Sequence, residues 1–558
     1  MSTRQITNAD AQGLAGGFVV PAGEVWEFDP RQNVDISVDG NIRVEGVLRL
    51  RPSSATVVHN IRFVGVDESR FVGGGMNMLD TDVGLWVMGA GRLDIAGAGK
   101  TDWTRLAAGA AAGQTSIRLA EQPAGWRVGD EIAIAPTVAP GRNHNEQFDE
   151  QTITSISGNT VTLAGPLEFD HPEVNGQWTA EVMNLTRNVR IEGSPTEGPA
   201  SASNGRAHIL IRSSSPQSIH NLQIRYMGPR QGRAGNSAGV SGRYSLHFHH
   251  SMNGTQGTLV DGVVVRDSGN SAYVTHASHG ITIRDSIAYD GWEDAFWWDP
   301  PAGDRRDDDT SNDTHDVIWD RNIVGLLRDD PEFRGYRLAG FTLATGTNLS
   351  VTNSVAVGIA GNSTASGFQW PERSNPNNVW TFTNNTSHNN RADGIYAWQN
   401  NSDRHVIDGF VGYHNGESGI EHGAYRNAYE YRNIQLFGNR EGAILQHSAS
   451  SGRPVRSDGY TLSFEGVSTD GELVLLEQSL PGARPVLYRN CSFAAVRVNN
   501  GGNDDNPGFY DFVDCNLESS DFEFDDVEPG TVIRVQDGNR AYRLDADGSR
   551  SLIASFYD

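Results

Sequence analysis

The sequence predicts an all-β protein: a right-handed parallel β-helix, preceded by a β-rich N-terminal domain and closed by a small C-terminal β cap. Three observations carry that expectation. Glycine fills 64 of the 558 positions while proline fills only 22, a composition that suits many short strands and turns. Nowhere does an apolar period of 3.6 persist long enough to call a long helix. From about residue 205 the chain repeats itself, and fixed-period repeats are the mark of a solenoid. Units opening on glycine and a strand, Gly367-Phe368-Gln369-Trp370, Gly394-Ile395-Tyr396-Ala397-Trp398, Gly419-Ile420-Glu421-His422 and Gly442-Ala443-Ile444-Leu445, recur about every 25 residues.

Taken in order, residues 1–120 alternate apolar triplets with glycine turns, as in Gly17-Phe18-Val19-Val20-Pro21, Gly40-Asn41-Ile42-Arg43-Val44 and Gly84-Leu85-Trp86-Val87-Met88. This is strand-and-turn punctuation and reads as a first β domain. Residues 121–204, from Gly125-Trp126-Arg127-Val128-Gly129-Asp130 to Ala180-Glu181-Val182-Met183-Asn184-Leu185, read as a β-rich connecting domain. Residues 205–515 carry the repeat. Its strands, such as Val263-Val264-Val265-Arg266-Asp267, Ile281-Thr282-Ile283-Arg284-Asp285 and Val379-Trp380-Thr381-Phe382-Thr383-Asn384, end on Asn or Asp, which tolerate the left-handed corner each coil needs. Residues 516–558 read as the cap that an open solenoid end requires.

The balance of charge narrows the partners. Sixty-nine acidic residues against 44 basic give a net charge of −25, which argues against nucleic acid as a ligand. No apolar run reaches the roughly 18–20 residues that span a bilayer, and Met1–Asp10 lacks the apolar core of a secretory signal. The two cysteines, Cys491 and Cys515, sit in matching contexts, Arg-Asn-Cys-Ser-Phe and Val-Asp-Cys-Asn-Leu. They are expected to stack on adjacent coils, and no disulfide framework holds the fold.

The most informative stretch is Gly242-Arg243-Tyr244-Ser245-Leu246-His247-Phe248-His249-His250. Period-2 alternation puts Tyr244, Leu246 and Phe248 on one face, and Arg243, Ser245, His247 and His249 on the other. Two imidazoles at i and i+2 stand about 6–7 Å apart, close enough to share one metal ion or one anionic group. His250 is placed on the opposite face or at the strand end and is left out of the ligand set.

The order of these motifs resembles a known family. Trp126-Arg127-Val128-Gly129-Asp130, Ala180-Glu181-Val182 with Leu185-Thr186-Arg187-Asn188, and Arg243-Tyr244-Ser245-Leu246-His247-Phe248-His249 are its marks. Thr275-His276, Tyr289-Asp290 and Asn353-Ser354-Val355-Ala356-Val357-Gly358 continue the series. Residues 17–105 look like the G-eight domain. Residues 205–465 look like the β-helix of cell-surface hyaluronidases and hyaluronan-binding cell-migration proteins, and more distantly of fibrocystin-like proteins. The short, cysteine-poor chain departs from the vertebrate members and suggests a bacterial or bacteriophage relative. The resemblance implies a glycan-related role outside the cell, and the His-Phe-His and Thr-His positions correspond to family histidines.

In a β-helix a site is assembled from successive coils. About one coil beyond His247 and His249 comes His276, and one further brings Glu293-Asp294-Ala295-Phe296-Trp297-Trp298-Asp299. In register, His247, His249 and His276 with Asp294 would suit zinc or a similar divalent metal better than calcium; a metal-free polar groove is the plain alternative. Glycoside hydrolysis needs two carboxyl groups flanking the bond, about 5 Å apart for retention and about 6.5–9.5 Å for inversion. Asp294 and Asp299 are the leading pair, with Glu372, Asp393 and Glu421 further along. Arg243 could fork onto a sugar carboxylate, and His249 with Arg243 would serve a lyase. Trp298, Trp370 and Trp398 offer faces to sugar rings, with Glu372 and Glu421 beside them, although the same alternation fits burial inside the coil. The acidic run Asp304–Asp313 reads as a solvated loop and Asp545-Ala546-Asp547-Gly548-Ser549 as a hairpin turn.

Two function classes follow. One is an enzyme, a hyaluronidase-like hydrolase or a metal-dependent polysaccharide lyase. The other is a recognition protein that holds a polysaccharide or cell-surface glycan. A bacteriophage minor tail or tail-tip protein, as a homotrimer or within a virion, is the specific form of the second. Either is expected at the cell exterior or on a virion surface.

Overall fold

The computed structural model describes residues 2–194, 205–230, 239–297, 314–328, 338–343, 346–361, 365–370, 379–398, 404–423, 428–447, 459–470, 473–476, 485–501, 506–538, 540–545, 547 and 549–553. Among these the chain is almost wholly β, and one α-helical turn, Ala11–Leu14, stands near the start. The chain divides into two compact units. The first comprises Met1–Val138, Asn145–Phe341 and Val357–Gly361, and the second Ala139–His144, Thr342–Ala356 and Asn362–Asp558.

In the first unit each coil contributes three short strands. Thr258–Asp261, Val264–Ser268 and Tyr273–Ser278 form one coil, and they pair in parallel with Ile281–Arg284, Ile287–Gly291 and Phe296–Trp297 of the next. Alternation decides what faces inward. In Val34–Val38 the residues Val34, Ile36 and Val38 are buried while Asp35 and Ser37 are exposed. The parallel β-helix expected from the repeat is therefore present, but it begins much earlier than residue 205. Ser2–Ile6 pairs in parallel with Glu24–Phe28, that with Val47–Leu50, that with Arg92–Ala96, and that with Ser218–His220.

The expected boundaries change accordingly. Residues 2–96 are coils of the same helix and not a separate domain ending at 120. The separate module is a six-stranded antiparallel sheet running from Trp103–Arg105 to Glu181–Asn184, with its own core of Leu119, Ile132, Ile153, Val161 and Val182. The coil resumes at Val189–Glu192, between His59–Phe63 and Leu222–Arg225, so residue 204 is no domain edge. Short strands separated by glycine look alike in a coil and in a free-standing β domain; only the pairing partner tells them apart. Arg187 ties the module to the coil. Buried to 1% exposure, it donates to the carbonyls of Asn184 and Gly262 and pairs with Asp102.

In the second unit, Ser366–Trp370, Ile395–Ala397, Ser418–His422 and Gly442–Gln446 stack in sequence order as one parallel sheet. Corners fall where Asn and Asp were expected: Asn353, Asn384, Asn433, Asn490 and Asp514 all have φ between 50° and 56°, a left-handed conformation these side chains tolerate. Inside, Tyr431, Phe464, Tyr488 and Phe512 stack with ring centroids 4.7, 5.0 and 4.8 Å apart. A second ladder is polar. Asn390 Nδ2 donates to Asn415 Oδ1 (2.9 Å) and Asn415 Nδ2 to Asn439 Oδ1 (2.8 Å), with Asn390 and Asn415 wholly buried. Cys491 and Cys515 occupy equivalent places on adjacent coils, each thiol reaching a carbonyl of the preceding coil, Phe464 O and Tyr488 O, at 3.3 Å. Parallel pairing continues through Val532–Asp537, and among the described residues the antiparallel Arg540–Leu544 and Arg550–Leu552 follow it. Between those two strands the Asp545 N–H donates to Ser549 O at 3.0 Å.

Replacing Asn415 by Ala removes a link whose two neighbours are buried, and unpartnered buried amides each cost about 1–3 kcal/mol. Asn415→Ala is expected to lower stability by about 2–4 kcal/mol, read from urea denaturation. A second expectation concerns acid. His405 and His422 are buried and their imidazoles are pushed down to about 3 by desolvation. The unfolded chain takes up these protons first, so stability falls as pH drops from about 6.5 toward 3, by about 1.4 kcal/mol per pH unit for each histidine. His405→Phe, which keeps the ring on Tyr429, is expected to flatten that slope by one histidine's share in denaturation series between pH 7 and 5.

Candidate functional site

The strand Leu246–Met252 lies between His208–Ser213 and Tyr273–Ser278. Its alternate residues join two rows. Leu85, Ile209, Leu246, Tyr273 and Phe296 line up across the coils, and Phe296 stacks between Tyr273 and Phe341 in the core. His247 belongs to the other row, with Trp86, Leu210, Val274 and Trp297. His249 stands beside His276 of the next coil as its register partner. The same-face reading of His247 and His249 therefore holds, and the coil stacking adds His276. One ligand nitrogen from each of the three lies within 4.8 Å of the others.

The cluster is not an open groove. His247 is 0%, His276 4% and His249 7% exposed, with Tyr244 packed edge-on against His247 at 4.7 Å and Trp297 edge-on against Tyr244 at 5.5 Å. His247 Nδ1 donates to Gly242 O at 3.1 Å, which fixes the tautomer and leaves the Nε2 lone pair available. That Nε2 and both ring nitrogens of His249 are buried without a hydrogen-bond partner. Burial and neighbouring imidazoles press all three toward neutrality: His249 falls to about 3 and His276 to about 2, and His247 is also strongly lowered. Neutral imidazoles with unused lone pairs are what a transition metal takes.

His250, set aside by the strand alternation, belongs at the edge of this group. A register shift follows His249, and His250 adopts φ 46° just as Ala277 one coil on adopts φ 43°. The turn swings the ring back to 4.7 Å from His249 and 4.4 Å from His276. Strict alternation could not reveal it, because the kink breaks the period at that residue.

Other expected site residues are placed differently. Arg243 is wholly buried: its Nε binds Asp82 Oδ2 at 2.8 Å, its two terminal nitrogens donate to Gly242 O and Gly74 O, and its guanidinium lies over Trp86 at 4.8 Å. It holds the loop beside the histidines and does not present itself to a sugar carboxylate. Asp294, 4% exposed, accepts the Ala339 N–H at 2.8 Å and is not among the groups converging on the histidines; it fastens coil to coil. His249, with an imidazole near 3, is a poor proton acceptor at neutral pH. Trp370 points into the core, 0% exposed, against Phe382 and Tyr429. Asp299, Trp298, Glu372 and the acidic run Asp304–Asp313 lie outside the described residues.

In the second unit Trp398 and Glu421 both meet His447. Glu421 Oε1 accepts His447 Nε2 at 2.9 Å, and Trp398 stacks on Tyr396 at 5.5 Å and meets His447 edge-on at 5.1 Å. Carboxyl oxygens of Asp393, Glu417 and Glu421 lie within 4.8 Å of one another. Glu417 carried no sequence signal, since it sits in the turn before its strand.

Residues 205–298, which hold the histidine cluster, match the CEMIP beta-helix family model. A G8 domain-containing protein of Dictyostelium discoideum is 26% identical over 188 residues, 34% of this chain and 12% of its own length. Human Fibrocystin-L is 27% identical over 234 residues, 35% of this chain and 5% of its own. The human cell surface hyaluronidase CEMIP2 is 26% identical over 194 residues, 31% of this chain and 13% of its own. The matched part is thus a small fraction of each relative's length. Among solved structures, the catalytic domain of a GH87 alpha-1,3-glucanase aligns over 74% of this chain and 85% of its own at 10% identity, with a TM-score of 0.39, too loose an overlay to carry an argument.

Fold and site together define a parallel β-helix protein with a buried imidazole cluster on one sheet. Within that class residues 205–298 match the CEMIP beta-helix, and the chain is similar to G8 domain-containing, fibrocystin and cell surface hyaluronidase proteins, the likeness its motif order implied. Among the described residues no helix is long and apolar enough to cross a membrane.

Arg243 and Asp82 are both 0% exposed, and removing one partner of such a pair strands the other charge. Arg243→Met is expected to destabilise the protein by about 3–5 kcal/mol, read as a shift of the urea midpoint followed by tryptophan fluorescence.

Proposed function

We propose that this protein acts on a polysaccharide at the cell exterior, cutting it, and that His247, His249 and His276 hold a divalent transition metal such as zinc. One observation carries the metal: three neutral imidazoles converge from two coils, and His247 and His249 bring buried nitrogens with no hydrogen-bond partner. A buried polar nitrogen left unpaired is costly, and a shared cation removes that cost for the cluster at once. Nitrogens within 4.8 Å of one another need close only to about 3.4 Å, the edge of a tetrahedron with arms of about 2.0–2.1 Å.

When bound, the metal would supply a fixed positive charge able to neutralise a sugar carboxylate or polarise an oxygen. The chain's own residues prepare that place. Gly242 O sets the His247 tautomer, Arg243 and Asp82 anchor the loop that supplies it, and Tyr244, backed by Trp297, packs against the His247 ring. The polysaccharide class is supported by the hyaluronidase among the relatives and by the coil architecture, which lines up side chains along an extended face. A recognition protein that binds without cutting is the second reading, favoured by the low exposure of the histidines.

The test is chain-length analysis of hyaluronan and of bacterial surface polysaccharides incubated with the protein, alongside elemental analysis. Shortened chains are expected; retained binding with unchanged length would leave only the recognition role. His249→Ala is expected to lose the bound metal while keeping the wild-type circular dichroism spectrum. A metal content equal to wild type would refute the histidine assignment.

A further inference from the structure

We propose that Glu417 and Glu421 of the second unit form a carboxyl pair that breaks a glycosidic bond, with Asp393 and His447 as positioning residues; this rests on the polysaccharide reading above. Three features set the group apart from an ordinary acidic surface. First, it is built by coil stacking. Glu421 lies on the strand Ser418–His422 between Tyr396 and Leu445 of the flanking coils, and Glu417 is held at the preceding corner by its N–H on Ala392 O. Second, the deepest member is incomplete. Asp393 is 0% exposed and its Oδ1 accepts the Ser418 N–H at 3.0 Å, but its Oδ2 has no hydrogen-bond partner. Third, an aromatic wall borders the acids. Trp398 presses so closely on Gly423 that a Cβ there would lie 2.1 Å from its ring. It also touches His447, the partner of Glu421.

Carboxyl oxygens within 4.8 Å of one another cannot all be ionised in a buried place, so the group retains protons near neutrality. Asp393 is raised by desolvation and then by Glu421. Glu417 is raised to about 7 by desolvation, with Glu441 and Glu421 adding to it and Arg391 and Arg440 opposing. Glu421 instead accepts a hydrogen bond from His447, an interaction that favours a carboxylate. An acid near 7 beside an ionised carboxylate is the division of labour that glycoside hydrolysis needs. The close spacing fits retention, for which carboxyl groups stand about 5–5.5 Å apart.

The chemistry balances without a further reagent. In the first step Glu421 Oε attacks the anomeric carbon while Glu417 gives its proton to the glycosidic oxygen. The C–O bond to the leaving sugar breaks and a glycosyl ester forms. In the second step water attacks the same carbon, its proton goes to Glu417, and the ester bond breaks to release Glu421. Trp398, stacked on Tyr396 and packed on Gly423, fixes the place of His447 beside Glu421. Asp393, which burial and Glu421 keep protonated, stands beside both glutamates and positions Glu421.

The full chain is tested on hyaluronan, chondroitin, alginate and purified capsular polysaccharides by reducing-end release. Glu421→Gln and Glu417→Gln are each expected to lower the rate by about 10²–10⁴-fold, with binding on affinity gels and metal content equal to wild type. With Glu417→Ala acting on an aryl glycoside, whose leaving group needs no proton, added azide is expected to restore turnover and give a glycosyl azide of retained configuration. Asp393→Asn, neutral like the protonated acid it replaces, is expected to keep most of the rate and the same pH profile, while Asp393→Ala with an unchanged circular dichroism spectrum is expected to lose the rate. Wild-type cleavage with both glutamine variants within tenfold of it would overturn this assignment and leave the polysaccharide reading standing. Loss of bound metal in those variants, an inverted product or an unsaturated sugar end would also overturn it. A wild-type protein that neither binds nor cuts any of these polymers would sink both.

Discussion

Parallel stacking of coils is the constraint from which the rest of this structure follows. Each coil's N–H and C=O groups are satisfied by the coils on either side, so a residue can sit next to a chosen chemistry only by occupying the matching place one coil away. The interior shows the consequence twice in the second unit. Tyr431, Phe464, Tyr488 and Phe512 form a run of stacked rings, and Asn390, Asn415 and Asn439 form a run of linked amides. An amide ladder works because each Asn can donate to one neighbour and accept from the other. The same rule applied to outward-facing positions sets His249 beside His276 and Tyr396 beside Glu421.

Burial then decides what those side chains can do. The imidazoles of His247, His249 and His276 are pressed toward neutrality by desolvation and neighbouring imidazoles, with no carboxylate to offset it, which leaves them poor bases at neutral pH. In the second unit burial acts in the opposite direction on acids crowded together, holding protons on groups that would be ionised in water. Arg243 shows a third outcome. Fully withdrawn from solvent, it keeps its charge only because Asp82 and two carbonyls take up its donors, and so it becomes part of the scaffold. One physical term, the cost of removing charge from water, thus yields a neutral imidazole cluster, a proton-holding acid group and a structural ion pair.

The two groups differ in what made them visible. The histidines announced themselves through a short alternating motif, and adding His276 required only the assumption of one coil's spacing. The acids carried no such motif. Glu421 and Asp393 were visible as carboxylates along the repeat, but Glu417 and His447 sit just outside the strands, where alternation says nothing about direction. Arg243 misled for a related reason: its period placed it on the face of the histidines, while the loop that buries it comes from residues about 160 positions earlier, at Asp82 and Gly74.

By itself the sequence determined the strand-and-corner rhythm. Glycine, Asn and Asp recur where the backbone must turn left-handed, and alternation sorts inward from outward residues; both are local properties of a few consecutive residues. It determined the family likeness too, since motif order survives where overall identity is low. What only the tertiary structure decided is which segments pair. It assigned residues 2–96 to the coil, set the antiparallel module of Trp103–Asn184 apart, returned His250 to the imidazole cluster and gathered Asp393, Glu417 and Glu421. Those are contacts between residues far apart in the chain, and the free energy that selects them comes from packing and desolvation of the assembled coils, which no short window of sequence contains.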